Sequence, residues 1–149
     1  MVSRKRLVGF CQSIGLKVGN KLKQNLDIPE WVRENRSFRI FCLRGLVDTD
    51  GCIFNECHRI NKKKYCYPRM AFTSYSQQLC SSVVRILQDL GFSPKIRNGR
   101  NVQLEIRKEI IRYFKLVGTN NPKHRKRFKS FLRRSTDNWQ SPGLENRCP

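Results

Sequence analysis

Between Ser37 and Val117 the apolar residues change their spacing four times. Phe38, Ile40, Phe41, Leu43, Leu46 and Val47 keep a helical spacing that stops at Gly51. Residues 52–59 and 65–75 are rich in β-formers, and the polar run Asn61-Lys62-Lys63-Lys64 between them suits a hairpin. Leu79, Val83, Ile86, Leu87 and Leu90 return to helical spacing, with Gly91 as a stop. Lys95–Arg97, a turn at Asn98-Gly99-Arg100 and Val102–Arg107 read as a second hairpin, since Asn-Gly is the strongest short hairpin signal. In it Val102, Leu104 and Ile106 point inward and Asn101, Gln103, Glu105 and Arg107 outward. Ile110, Ile111, Phe114 and Val117 predict one more helix, and Phe128, Phe131 and Leu132 mark another after Pro122. The order α-ββ-α-ββ-α confines the chain to an α+β fold built on two hairpins.

The flanks add less. Residues 5–17 predict a helix closed by Gly15 and Gly19, and Pro29 opens a helical turn containing Trp31 and Val32. Ser37 is the expected N-cap of the long helix. Pro68 would cost the ladder a hydrogen bond, so it belongs at a sheet edge or a bulge.

Charge narrows the function. The chain has 31 Lys and Arg against 11 Asp and Glu, a net charge of +20. The excess is +5 over residues 1–37, +9 over 38–116 and +6 over 117–149, so the basic surface belongs to the whole fold. Such a chain attracts polyanions, and DNA or RNA is the natural partner. Tyr67, Arg69, Thr73, Lys95, Arg97, Asn101, Gln103 and Arg107 fall on the outward strand face, a mixture of hydrogen-bonding and cationic groups suited to base edges and phosphates. A merely solvated face would mix both signs, and here only Glu56 and Glu105 break the pattern.

Other classes fall away. No apolar run approaches the ~20 residues that cross a bilayer, so no membrane role is expected. The basic N-terminus lacks a signal-peptide core. Seven cysteines form an odd set with no CxxC pair, which argues against zinc. Reduced thiols in an intracellular compartment (cytoplasm, nucleoid or organelle, not secreted) are the expectation. Cys52 and Cys57 alternate on the first strand and make poor joint metal ligands.

The segment Leu43-Arg44-Gly45-Leu46-Val47-Asp48-Thr49-Asp50-Gly51 carries the chemistry. Asp48-Thr49-Asp50-Gly51 alone would be an ordinary turn after a helix. With what precedes it, the segment resembles the signature of the LAGLIDADG homing endonucleases: Leu43, Gly45, Leu46, Asp48, Asp50 and Gly51 are the family letters. Arg44 stands where the motif has a small Ala. Val18-Gly19-Asn20-Lys21 and Ile28-Pro29-Glu30-Trp31 resemble the linker before a motif helix. Phe114, Gly118 and Asn121-Pro122-Lys123-His124 resemble the closing helix and turn. The likeness covers roughly residues 15–135.

The resemblance implies an αββαββα domain with a saddle-shaped antiparallel sheet. It places that domain at 38–135, after an N-terminal helix and linker-like segment at 1–37 and before a tail at 136–149. It implies site-specific cleavage of double-stranded DNA across the minor groove, with Mg²⁺ as cofactor and Mn²⁺ or Ca²⁺ as substitutes, leaving short 3′ overhangs. One motif supplies one carboxylate set, so two strands call for a homodimer. Leu43, Gly45, Leu46 and Asp48 are the expected interface, Gly45 allowing two helices to approach closely. Asp50 is the expected metal-binding catalytic residue, with Gly51 helping through its backbone, where helix carbonyls favour a hard cation. Lys108 is the expected cation for the developing phosphate charge, with Arg107 as fallback. Ser76 or Gln77 lies where some members orient the attacking water. His58 is assigned to DNA, and His124 to a phosphate-facing or solvated helix. The alternatives are an inactive member, either an RNA-splicing maturase or a DNA-binding regulator, and a basic ribosomal-type RNA-binding protein. The chain could also be the second half of a two-motif protein.

Overall fold

The computed structural model describes residues 4–16, 18–20 and 26–137. Its elements are α1 (Arg4–Ser13), α2 (Glu30–Glu34), α3 (Arg36–Asp50), β1 (Gly51–Ile60), β2 (Lys63–Thr73), α4 (Gln77–Asp89), β3 (Lys95–Arg97), β4 (Asn101–Leu104), α5 (Arg107–Leu116) and α6 (Pro122–Asp137). From α3 to α5 this is the expected αββαββα order. Lys17, Lys21, Cys148 and the tail beyond Asp137 lie outside the described residues.

Local chemistry sets the boundaries. Asn35, not Ser37, caps α3: its Oδ1 accepts from the amides of Ser37 (2.8 Å) and Phe38 (3.2 Å). Ser76 caps α4 through the Leu79 amide. α3 runs straight into β1 at Gly51, where a Cβ would collide with the Val47 backbone.

The four strands are antiparallel throughout, in the order β1-β2-β4-β3. The first hairpin is tighter than its lysine run suggests. Only Asn61 and Lys62 turn, both at positive φ (49° and 65°), and Lys63 already pairs with Ile60. Asn98 (53°) and Gly99 (65°) turn the second hairpin, closed by the Arg100 amide donating to the Arg97 carbonyl at 3.3 Å. β4 ends at Leu104 rather than at Arg107. Its partner β2 is there at Met70, and the Arg69 guanidinium, not a strand, donates to the Glu105 carbonyl (2.8 Å). Ile106 is consequently half exposed instead of inward. Pro68 pairs with β1 alone, beyond the reach of β4, an edge position as its chemistry requires.

The core lies between the sheet and the helices. Ile53, Met70, Phe72, Val102 and Leu104 meet Leu43 and Val47 of α3, Leu79, Val83, Ile86 and Leu87 of α4, and Ile110, Tyr113 and Val117 of α5. Burying one such aliphatic side chain is worth about 1.5–3 kcal/mol. Ile28 and Val32 join this core, tied by hydrogen bonds from Ser82 Oγ to Asp27 Oδ1 (2.5 Å) and from Ser76 Oγ to the Leu26 carbonyl (2.6 Å). α1 buries no residue.

The thiol expectation needs correction. Cys57 and Cys66 are directly opposed in the β1–β2 ladder, Cα atoms 4.1 Å apart, and form a disulfide. Cys11, Cys42, Cys52 and Cys80 are free.

Candidate active site and nucleic-acid face

Cross-strand register builds the outward face row by row. Thr73, Asn101 and Arg97 share one row, and Ala71, Gln103 and Lys95 the next. Arg69 stands opposite Phe54, Tyr67 opposite Glu56 and His58 opposite Tyr65. Because strand side chains alternate, all of these share the face turned away from the core. Arg107 is not among them. It sits in the first turn of α5 with its guanidinium 4.8 Å from the centre of the Phe131 ring.

That face is far less basic than its cations suggest. Glu105 accepts from Lys95 Nζ (2.7 Å) and Arg97 Nη2 (2.6 Å), and these bonds, Lys95 first, pull its carboxyl down to about 2. Glu56 accepts from Arg69 Nε (2.7 Å), which lowers its carboxyl, with His58 Nε2 at 3.4 Å. Thr73 Oγ1 donates to Asn101 Oδ1 (2.7 Å). The face is a pre-oriented polar lattice, with two carboxylates holding three strong cations in fixed directions.

The two acids of the motif part company. Asp48 turns into its own chain, its side chain 14% exposed. It accepts from Thr119 Oγ1 and from the Asn120 amide (2.8 Å), while Asn121 Nδ2 donates to its carbonyl (2.8 Å). His124 is buried behind it, 4% exposed, its Nδ1 3.8 Å from Asp48 Oδ1 and without a hydrogen-bond partner among the described residues. The helix surface expected for His124 is therefore wrong: it packs inside. Tyr113, fully buried, donates to the Leu43 carbonyl at 3.4 Å, and burial pushes its phenol up. Asp50, by contrast, is exposed at the last turn of α3, with no side-chain partner among the described residues. A bare carboxylate at a helix C-terminus is disfavoured by about 0.3–1 kcal/mol unless a cation joins it.

The donor set fits a hard cation in part. Asp50 and the Gly51 backbone offer oxygen only, and no three His, Cys, Asp or Glu cluster among the described residues. A cation bound there would have one charged ligand, Asp50, from this chain.

α3 presents an outward stripe. Phe38 (44%) and Phe41 (59%) are exposed, followed by Gly45, with open space where a Cβ would stand, and Thr49. Thr49 Oγ1 donates within its own helix, to Gly45 O (3.0 Å) or Leu46 O (3.1 Å), and so needs no outside partner. Of the four residues expected at a dimer interface, Gly45 is on this stripe and Leu46 is half-buried. Leu43 belongs to the core at 1% exposure, and Asp48 is engaged as above. Arg44 swings aside, its Nε donating to the Val117 carbonyl at 2.6 Å.

Lys108 does not sit at a strand end. It occupies the first turn of α5, whose other end leads to the Thr119 grip on Asp48, about 15 Å of helix away. Ser76 is committed to the α4 cap and to Leu26, whereas Gln77 is exposed. Sequence reasoning missed Thr119, Asn120 and the buried role of His124. Their one signal was the cluster of capping residues ahead of Pro122.

An αββαββα unit with a four-stranded antiparallel sheet, whose motif helix ends in an exposed carboxylate beside the sheet, defines the class found in endonucleases and maturases. The family model for the LAGLIDADG-like domain matches residues 37–130, and the chain belongs to that family. A search of curated proteins found no match. No described helix is long and apolar enough to cross a membrane.

Proposed function

We propose that this chain is a divalent-metal-dependent endonuclease that cuts both strands of duplex DNA as a homodimer. The observation that carries the reading is Asp50, exposed and without a side-chain partner among the described residues, at the end of a helix whose outward stripe pairs exposed Phe38 and Phe41 with the open Gly45. Pairing two chains along Phe38, Phe41, Gly45 and Thr49 would cover that stripe and bring two Asp50 carboxylates together. Mg²⁺ held there would polarise the scissile phosphate and lower the pKa of a bound water. The sheet lattice binds and orients the duplex. His58, toward the hairpin tip, and Tyr67, Arg69, Thr73, Lys95, Arg97, Asn101 and Gln103 contact DNA, with the Gln103 side chain tied to no other among the described residues.

For the developing phosphate charge, Lys123 is better placed than Lys108. Its amide donates to Asn121 Oδ1 (3.0 Å), and Asn121 in turn holds the Asp48 carbonyl. Exposed Gln77 is the remaining group for orienting water.

The test uses a plasmid library with randomised inserts, incubated with protein in Mg²⁺, followed by sequencing of the ends. Paired cuts with short 3′ overhangs are expected, and Asp50→Asn should cut at least 100-fold more slowly while still binding DNA in Ca²⁺. An Asp50→Asn protein that cuts at the wild-type rate refutes the assignment.

A further inference from the structure

We infer that α6 carries a second duplex-DNA-binding surface, on the helix side of the sheet and separate from the strand face. α6 turns one side inward: His124 is buried, Phe128 stacks on Phe114 of α5 at 4.0 Å between ring centres, and Phe131 is 7% exposed. Arg127 Nη1 donates to the Ile53 carbonyl (3.2 Å), fixing the helix beneath β1, since Ile53 is a core residue. The opposite side is a shallow cleft of ≈ 500 Å³ along Pro122, Arg125, Lys126, Lys129, Ser130 and Arg133. With 100° per residue, Lys126, Lys129 and Arg133 lie along the pole facing away from the buried side.

Charge complementarity names the occupant. No acidic residue occurs between Gly118 and Thr136, and Lys126 and Lys129 have no ion-pair partner among the described residues. The strand face is different, for Glu56 and Glu105 neutralise most of its cations there. Two cations without an acidic partner, Lys126 and Lys129, therefore stand side by side on α6. From Lys126 to Arg133 the cleft runs about 10 Å, comparable with about three phosphates at 3.4 Å per strand. Single-stranded nucleic acid is recognised by stacking on aromatic rings. The cleft has none, as its aromatic residues all face inward. A backbone ladder without stacking platforms suits a duplex read by charge alone. With both faces loaded, one protein molecule bridges two DNA segments.

The experiment loads the full chain on a bead-bound duplex of random sequence, then adds a second, fluorescent duplex of DNA. Wild type should retain the second duplex. Lys126→Glu/Lys129→Glu should lose that retention at least tenfold and reduce the salt slope of the second event by about 2, while the first duplex stays bound. Arg4→Glu/Lys5→Glu, the same change in net charge on α1, should retain it. If the α6 variant still bridges, the bridge is made by paired strand faces and the proposal fails. Retention of duplex RNA but not duplex DNA overturns it too. Should the wild type bind the first duplex and never the second, this inference fails alone. Should it bind neither, the strand-face reading falls with it.

Discussion

Asp48 and Asp50 are two residues apart in one motif, yet their substitution should have opposite thermodynamic signs. Asp48→Ala removes a carboxylate that accepts from Thr119 Oγ1 and the Asn120 amide, and it leaves buried His124 facing a void. Each hydrogen bond to a charged acceptor is worth about 1.5–3 kcal/mol, and water can reach part of the site, so a loss of about 3 kcal/mol is expected. For a chain this long that lowers Tm by roughly 10 °C. Asp50→Ala removes a carboxylate with no partner from the negative end of α3, which should stabilise by about 0.3–1 kcal/mol. Thermal melts of the two variants in EDTA read the difference directly, without activity entering. Cleavage assays then add the contrast: Asp50→Ala inactive though stable, Asp48→Ala weakened in proportion to its folded fraction. Equal melting shifts, or a destabilised Asp50→Ala, would refute the division of labour between the two acids.

Glu105 gives a pH signature: its carboxyl is held at about 2 against an ordinary 4.5. The stability it contributes is therefore complete above pH 4.5 and lost as pH falls toward 2, and the stability gap between wild type and Glu105→Gln, followed by denaturant midpoint, should close over that window. Gly45→Leu should leave the isolated fold as stable or about 0.5–1 kcal/mol more so, because glycine is a poor helix residue and space surrounds it, yet sedimentation equilibrium should show the dimer lost. Reducing the Cys57–Cys66 bridge, whose ends are 9 residues apart, should cost up to about 2.5 kcal/mol by loop closure, read as a denaturation shift that Cys57→Ser abolishes.

What the sequence could and could not reveal divides along the range of the forces involved. Helical and strand spacing, the Asn98-Gly99 turn and the end of α3 at Gly51 are local, and they were legible. The strand side of each outward residue up to Gln103 followed from alternation alone. The errors begin where a distant group decides. β4 stops because Arg69, 36 residues earlier, takes the Glu105 carbonyl, and with that stop Arg107 and Lys108 leave the sheet for α5. Asp48 finds its partners 71 and 72 residues away, beyond any periodicity.

The disulfide was lost by a smaller slip. A four-residue turn at Asn61–Lys64 sets Cys57 against Pro68, whereas the observed two-residue turn sets it against Cys66. Charge shows the same limit from the other side. The net +20 correctly points to a polyanion, but it is a sum, and a sum is blind to pairing. On the strand face the carboxylates sit among the cations and hold them, so binding there would depend on direction more than on charge density. On α6 no acidic residue stands between Pro122 and Thr136, and Lys126 and Lys129 have no ion-pair partner among the described residues. If both proposals hold, one chain combines a face that discriminates between duplexes with a helix that attracts any of them.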